Sequence, residues 1–296
     1  MCHNHETFLI ETLDSIIDQT YPNIEIIIID NQCTDNSNQI IKNWLTENSV
    51  QAKFIENDAS YGICKNFNLG LFHANGKYFQ GISCDDIMLP EKIARQVAIL
   101  ERADDNVAMV YSDAFNIDES SNVLYGWHIQ RLYPERLFAL PKGDILENLI
   151  KKNFIPAMSV LIKTDLVREL GCYDEELCFE DYEMWFRILT KFKIIPDEDY
   201  PSVQYRTHQS NFQRKFRTQI YVDILKICEK YYDYSPNFKK KMEKTLLFIY
   251  TKDKKVAREN ARRYKSFISK KVFSVIISQV PSRLVKLITA RGSFII

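Results

Sequence analysis

Two acids in succession, Asp85-Asp86, are the residues of this 296-residue chain whose types and spacing most clearly allow chemistry. They follow an apolar-rich run, Lys77-Tyr78-Phe79-Gln80-Gly81-Ile82, that reads as a buried strand. They precede Met88-Leu89-Pro90-Glu91, which reads as a helix start. The carboxyl end of a strand is where open α/β sheets place their ligands. Adjacent carboxylates there repel each other and lose solvation, a cost that a cation or a donor offsets. A hard divalent cation that also touches a diphosphate is the natural occupant. The same dipeptide also occurs in ordinary acidic loops, with Asp86 or a neighbour capping the next helix. The surrounding pattern has to decide.

That pattern alternates. Phe8, Leu9, Thr12, Leu13, Ile16 and Ile17 have helical spacing, and Tyr21-Pro22-Asn23 ends the helix. Ile24-Glu25-Ile26-Ile27-Ile28-Ile29-Asp30 is nearly all β-branched, as strands buried on both faces of a parallel sheet are. Thr34-Asp35-Asn36-Ser37 offers caps for a helix through Trp44. A strand at Lys53–Glu56, a helix from Gly62 to Ala74, the strand before Asp85, a helix from Pro90 to Leu100 and a strand at Val107–Tyr111 follow. This order predicts an α/β, Rossmann-like, mostly parallel sheet flanked by helices. From about Asp118 the pattern is irregular, with a strand at Ser159–Lys163, a helix near Glu180–Lys191 and a short strand at Ser202–Arg206. Beyond Asn211 nearly everything reads as helix, so the expected division is 1–211 for an α/β domain and 212–296 for a basic, helical C-terminal extension.

Composition excludes several classes. The chain is 46% hydrophobic and 26% charged with only eight Gly and nine Pro, which is globular rather than fibrous or disordered. Seven scattered cysteines form no C-x-x-C pair, and no His stands at zinc-ligand spacing from two of them. Reduced thiols in a cytoplasmic protein are expected. The sequence shows no signal-peptide pattern and no apolar run of the ~20 residues that cross a bilayer. The net charge of zero conceals an asymmetry. Residues 237–296 hold 16 Lys and Arg against 3 Asp and Glu, a balance of +13, so the rest carries −13.

On such a sheet the sequence resembles the family 2 glycosyltransferases of GT-A fold, over roughly residues 1 to 210. Asn4-His5-x-x-Phe8-Leu9 and Leu13-x-Ser15-Ile16-x-x-Gln19-Thr20-Tyr21-Pro22 are similar to the family's opening. Glu25 to Asp30, with Asn31-x-x-Thr34-Asp35-Asn36-Ser37, is similar to its nucleotide-recognition turn. Gly62-Ile63-Cys64-Lys65-Asn66-x-Asn68-x-Gly70 leads through Gly76-Lys77-Tyr78 to the paired acids. Gly171-x-Tyr173-Asp174-Glu175 and Glu180-Asp181-Tyr182-Glu183-Met184-Trp185-x-Arg187 resemble the acceptor-side acidic motif. Each segment is weak alone; together, in order, they make a strong match.

The resemblance implies an inverting transfer of a sugar from a nucleotide-diphospho-sugar, with uridine the expected base, to a saccharide or lipid-linked acceptor. Asp86 matches the ligand of a divalent metal, Mn²⁺ or Mg²⁺, and Asp85 the position near the ribose. Cys84 is expected to be filler. Asp30 and Asn31 match the base-binding turn, where Asn31 stands in place of a common Asp and can still accept from a base N–H. Lys65 matches a basic residue facing the phosphates, and Arg206 and His208 a loop over them. Asp181 matches the general base that takes the acceptor's proton, with neighbouring Glu180 the alternative. Tyr182, Trp185 and Phe186 are expected in the core. Cell-surface polysaccharide or lipopolysaccharide synthesis in bacteria follows by analogy alone. The competing classes are a decayed, non-catalytic scaffold and a nucleotidyltransferase.

Two departures matter. Relatives begin with an apolar strand central to the sheet, just before the position of Asn4, and this sequence starts after it. A start upstream is the expectation, because two neighbouring strands would otherwise keep unpaired backbone groups at ~1–3 kcal/mol each. The basic tail, with Val272-Phe273-x-Val275-Ile276-Ile277 and Leu284-Val285-x-Leu287-Ile288, reads as amphipathic helices. They either pack on the catalytic domain or dock peripherally on anionic lipid at the inner face of the plasma membrane. No nucleic-acid motif accompanies the charge, and no nucleic-acid partner is expected.

Overall fold

Four isoleucines in a row leave Ile26–Asp30 little choice but to be a strand, and it pairs in parallel with Ala52–Glu56, from Ile26 opposite Ala52 to Asp30 opposite Glu56. The computed structural model describes residues 1–125, 127–132, 140–142, 144–209, 211, 217–278, 281 and 285. They divide into one unit of Met1–Ile145 with Phe154–His208, and another of Leu146–Asn153 with Gln209–Ile296.

The first unit runs α1 (Leu9–Ile17), β1 (Ile26–Asp30), α2 (Ser37–Glu47), β2 (Ala52–Glu56), α3 (Ile63–His73), β3 (Tyr78–Phe79), β4 (Ile87–Met88) and α4 (Lys92–Arg102). It continues with β5 (Val107–Ser112), β6 (Ala114–Ile117), β7 (Val123–Tyr125) and α5 (His128–Leu132). Then, after α6 (Leu146–Lys151) of the other unit, come β8 (Leu161–Lys163), α7 (Thr164–Glu169), α8 (Asp181–Leu189), β9 (Lys193–Asp197) and β10 (Val203–Arg206). Its strands form a β1-β2 pair and two four-stranded sheets, ordered β3-β8-β5-β9 and β4-β10-β6-β7. Helices flank them, so the α/β expectation holds. Parallel pairs (β1 with β2, β5 with β9, β10 with β6) mix with antiparallel ones at β3-β8, β5-β8, β4-β10 and β6-β7.

Local readings failed where tertiary pairing took over. The strand expected through Ile82 stops at Phe79, where β3 loses its partner β8. Met88, expected at a helix start, is instead in β4, because Ile87 and Met88 pair antiparallel with Gln204 and Val203. β9 was missed because Pro196 interrupts its pattern; the proline is tolerated since β9 lies at the edge of its sheet. Lys92, fully buried, donates to Gln96 Oε1 at 2.8 Å, to the Val160 carbonyl at 3.1 Å and to Gln80, tying α4 to the segment between β3 and the acids. Burial pushes its ammonium well below the ordinary lysine range.

A cavity of about 720 Å³ opens inside this unit. Ile26–Ile29 line it on one side and Tyr78–Ile82 on the other, with Leu13, Ile16, Ile93 and Val97 between them.

The second unit gathers α6 with α9 (Arg217–Lys230), α10 (Pro236–Lys252), α11 (Lys254–Arg263) and α12 (Lys270–Ile277). Ser235 caps α10 ahead of Pro236, Asp253 caps α11 through the Lys255 and Val256 N–H groups, and Ser269 caps α12. Phe238, Met242, Leu246, Val272 and Ile276 are buried, so the apolar stripes of α10 and α12 turn inward. Leu284, Leu287 and Ile288 lie outside the described residues. Among the described residues no helix is long and apolar enough to cross a membrane.

Candidate functional site

The paired acids sit between β3 and β4, in a turn held from two directions. From α1, Thr12 donates to the Asp86 carbonyl at 2.7 Å and Ser15 Oγ accepts from the Met88 N–H at 3.2 Å, and just past the helix end Gln19 donates to the Leu89 carbonyl at 2.9 Å. Thr12 and Ser15 stand three apart on the buried face of the helix, and that face together with Gln19 beyond it clamps the turn. From β10, the Arg206 N–H donates to Asp86 Oδ1 at 2.9 Å, and Arg206 Nε donates to the Asp85 carbonyl at 2.8 Å. The Arg206 side chain is wholly buried. It donates further to the Asp118 carbonyl, Ser121 Oγ and Glu11, and lies over the Phe8 ring.

The two acids differ. Burial raises the Asp85 carboxyl, but the hydrogen bond from His208 and the charges of His5 and His208 outweigh it and hold it below the usual range. His208 Nε2 is 3.0 Å and His5 Nε2 3.8 Å from Asp85 Oδ2. Asp85 Oδ1 and His5 Nδ1 are buried without a hydrogen-bond partner. Asp86 is pushed well above the carboxylate range by burial first and then by the charge of Asp85, against the pull of Arg206.

The base-binding turn is arranged differently from expectation. Asp30 is buried, with Oδ1 accepting from the Cys33 N–H at 2.8 Å and Oδ2 from Asn38 at 2.6 Å. Asn31 uses both ends of its amide: Nδ2 donates to the Tyr61 carbonyl at 2.9 Å, and Oδ1 accepts from the Tyr61 N–H at 2.8 Å and from Asn57 at 3.0 Å. Neither side chain presents a free edge in this arrangement: Asp30 ties the turn to Cys33 and Asn38, and Asn31 braces the loop around Tyr61. Lys65 is exposed, with Nζ 3.5 Å from the centre of the Tyr61 ring.

Glu180 and Asp181 open α8, where an acid suits the positive end of the helix dipole. Asp181 Oδ1 accepts from the N–H of Tyr182 at 2.6 Å. Burial, with the charge of Asp181 second, pushes Glu180 up to about 8. Both acids line a small pocket with Phe67, Phe79, Gly81, Tyr173 and Trp185. Gly81 is four residues from Asp85, at most about 14 Å of extended chain. Trp185 is in the core as expected, and so are Tyr182 and Phe186, but its buried Nε1 has no hydrogen-bond partner. Glu183, also on α8, pairs with Arg187, whose guanidinium reaches the Leu170 and Cys172 carbonyls. That brace orders the segment leading into the acids.

A family model described as glycosyl transferase family 2 matches residues 1–166. This chain belongs to that family. An uncharacterized glycosyltransferase of Rickettsia prowazekii is 28% identical over 243 residues, 82% of this chain and 70% of the relative. One of Methanocaldococcus jannaschii is 28% identical over 197 residues, 65% of this chain and 64% of the relative. The family 2 chain also shares its fold with S. aureus TarS in complex with UDP-GlcNAc, at a TM-score of 0.72 and 13% identity over 99% of this chain and 90% of that one. A mannosyltransferase of Pyrobaculum calidifontis, solved with GDP-Man and Mn²⁺, gives 0.59 and 17% over 97% and 81%.

In this family 2 chain the donors at the paired acids fit a divalent cation. Asp85 Oδ1 is buried and unpaired, and Asp86 is a buried carboxyl whose ionised form desolvation and Asp85 disfavour against the opposing pull of Arg206. Among the described residues no three His, Cys, Asp or Glu are already arranged as a complete metal set. Hard cations of this kind are commonly held by one or two carboxylates, with substrate phosphates completing the shell. Thr12, Ser15, Gln19 and Arg206 are the supporting residues that sequence reasoning passed over or left without a structural role. The i, i+3 spacing of Thr12 and Ser15 among the apolar residues of the buried face of α1 was the available signal.

Proposed function

We propose that the protein is an inverting, metal-dependent hexosyltransferase that moves a sugar from a nucleotide-diphospho-sugar, of uridine type, to a saccharide or lipid-linked acceptor. The observation that carries this reading is the buried Asp85-Asp86 turn: Asp85 Oδ2 pairs with His208 while its Oδ1 has no hydrogen-bond partner, and Asp86 lies buried beside it. That site calls for a cation and a diphosphate. Similarity to proteins solved with UDP-GlcNAc or with GDP-Man and Mn²⁺ supports it.

Asp86, with Asp85 beside it, would hold Mn²⁺ or Mg²⁺, which supplies neutralisation of the charge that develops on the diphosphate. The rest falls to the chain's own groups. The hydrogen bond with His208 helps keep Asp85 ionised. Arg206 fixes the turn through its backbone and guanidinium. Asp181 takes the proton of the acceptor hydroxyl as that oxygen attacks C1 from the face opposite the diphosphate, and the nucleoside diphosphate leaves. Glu180, neutral at physiological pH, adds no second negative charge beside the base. Asp30 acts at the base and phosphate side by holding the turn at Cys33 and Asn38, and Asn31 and Lys65 act there through Tyr61.

The acceptor is assigned to bacterial cell-surface polysaccharide or lipopolysaccharide synthesis, and the protein to the cytoplasm beside the inner leaflet. Exposed Lys239, Lys240, Lys244, Lys254, Lys255, Arg262 and Arg263 favour electrostatic contact with anionic lipid over insertion of an apolar face. Screening nucleotide-sugars for metal-dependent hydrolysis tests the reading. Release of a nucleoside diphosphate, lost in Asp86→Ala, is expected. Release of pyrophosphate instead, or binding without turnover for every donor, would reject it.

A further inference from the structure

Lys92 opens α4, yet its side chain turns into the interior rather than to water. Its Nζ meets three oxygens: Gln96 Oε1 at 2.8 Å, the Val160 carbonyl at 3.1 Å and Gln80 Oε1. Both glutamine amides are fixed in that sense, because their nitrogens are engaged elsewhere. Gln96 Nε2 donates to the Ser159 carbonyl at 2.7 Å. Gln80 Nε2 donates to the Gly81 carbonyl at 2.5 Å and the Met158 carbonyl at 3.0 Å. Three acceptors use all three N–H bonds of an ammonium, and a neutral amine would leave one of them unpaired. Burial disfavours the charge and Asp197 favours it, so the cage of oxygens is its remaining support.

One side chain thereby staples two segments far apart in the sequence. They are Gln80-Gly81, just after β3, and Met158-Ser159-Val160, just ahead of β8. Gly81 and Val160 are also walls of the small pocket that holds Glu180 and Asp181. Gly81 lies so close to the Phe67 ring that a Cβ there would not fit. The pocket's volume is about 10 Å³, around the least that admits one water. Such closeness is what desolvates Glu180.

We propose that Lys92 is a positioning residue for the acid pair at the start of α8. Through Gln80, Gln96 and the carbonyls of 158–160 it keeps the walls of their pocket closed and the pocket dry. A dry pocket keeps Glu180 neutral, and a neutral Glu180 puts no second negative charge beside Asp181. The consequence for sugar transfer rests on Asp181 being the base, whereas closure of the pocket is read without any substrate.

Trp185 reports on the pocket, because its indole lines it beside Glu180. Tyr173 and Cys64 also face Glu180, and burial pushes both above the range of the experiment. Tryptophan emission is followed from about pH 5 to 9, and the profile of Glu180→Gln is subtracted. What remains is the Glu180 transition, expected at about 8 in the parent. In Lys92→Met its midpoint should fall by at least about one unit as water enters. Gln80→Met cuts the link to Gly81 but keeps two of the three lysine bonds, and should shift the midpoint the same way. It decides the outcome where Lys92→Met does not fold. A lower melting temperature with an unmoved midpoint in a folded variant would mean that Lys92 only packs α4, and would overturn the proposal. So would the absence of any Glu180-dependent transition in the parent.

Discussion

Arg206 touches both members of the acidic pair: its backbone N–H donates to Asp86 Oδ1 at 2.9 Å and its Nε to the Asp85 carbonyl at 2.8 Å. One residue of β10 thereby sets the geometry of a turn 120 positions earlier. It also carries the cation that opposes the charge buried there.

Replacing Arg206 should therefore cost more than a surface arginine. Arg206→Met removes a buried charge from its partners and should destabilise the protein by ~3–5 kcal/mol. Arg206→Lys keeps the charge but not the planar fork of five donors, and should also destabilise. Urea denaturation measures both. Equal stability of Arg206→Lys and the parent would mean that only charge matters here.

Asp86→Asn separates function from stability. The amide can keep accepting from the Arg206 N–H, and the repulsion with Asp85 disappears. Thermal stability should be unchanged or higher, while metal-dependent nucleotide affinity falls at least about tenfold, corresponding to ~1.4 kcal/mol. Chelation of the parent should abolish donor hydrolysis, and Mn²⁺ or Mg²⁺ should restore it. Calorimetry and a coupled nucleoside-diphosphate assay read these effects.

Asp181→Asn should lower kcat by ~10²–10⁴-fold with little change in donor affinity, as removal of a general base does. A change confined to donor affinity would place Asp181 on the wrong side of the reaction.

Glu180 carries a pH signature. Its folded-state pKa, about 8, lies above the ordinary value of 4.5, so the folded protein binds the extra proton between those limits. Stability should fall as pH rises from about 4.5 to about 8, with a slope of at most about 1.4 kcal/mol per pH unit, and then level off. Glu180→Gln should flatten that slope. Thermal melts across pH 5–9 in both forms measure it.

Asn31→Asp should not improve the site despite restoring an acid to the turn. The carboxylate can accept from the Tyr61 N–H, but it faces the Tyr61 carbonyl to which Asn31 now donates. A loss of ~1–3 kcal/mol is expected from that buried conflict. Chemical denaturation checks it.

The sequence by itself determined the strands and helices whose patterns are self-contained. Ile26–Asp30 is β-branched enough to be a strand wherever it packs, and α1 to α4 announce themselves by period, caps and prolines. The acid pairs at 85–86 and 180–181 stood out as candidates only through the ordered motifs around them, since such a dipeptide alone also fits an ordinary acidic loop. Tertiary structure decided the rest. β4 and the early end of β3 depend on where β10 and β8 lie, and a two-residue strand has no period to read. The roles of Asp30 and Asn31 turned on loop partners such as Tyr61 and Asn38. The difference between Asp85 and Asp86 came from His5, His208 and Arg206, groups far apart in the chain, and burial sets what their charges are worth. Local pattern specifies elements, whereas the protonation and hydrogen bonding of a site belong to the space around it.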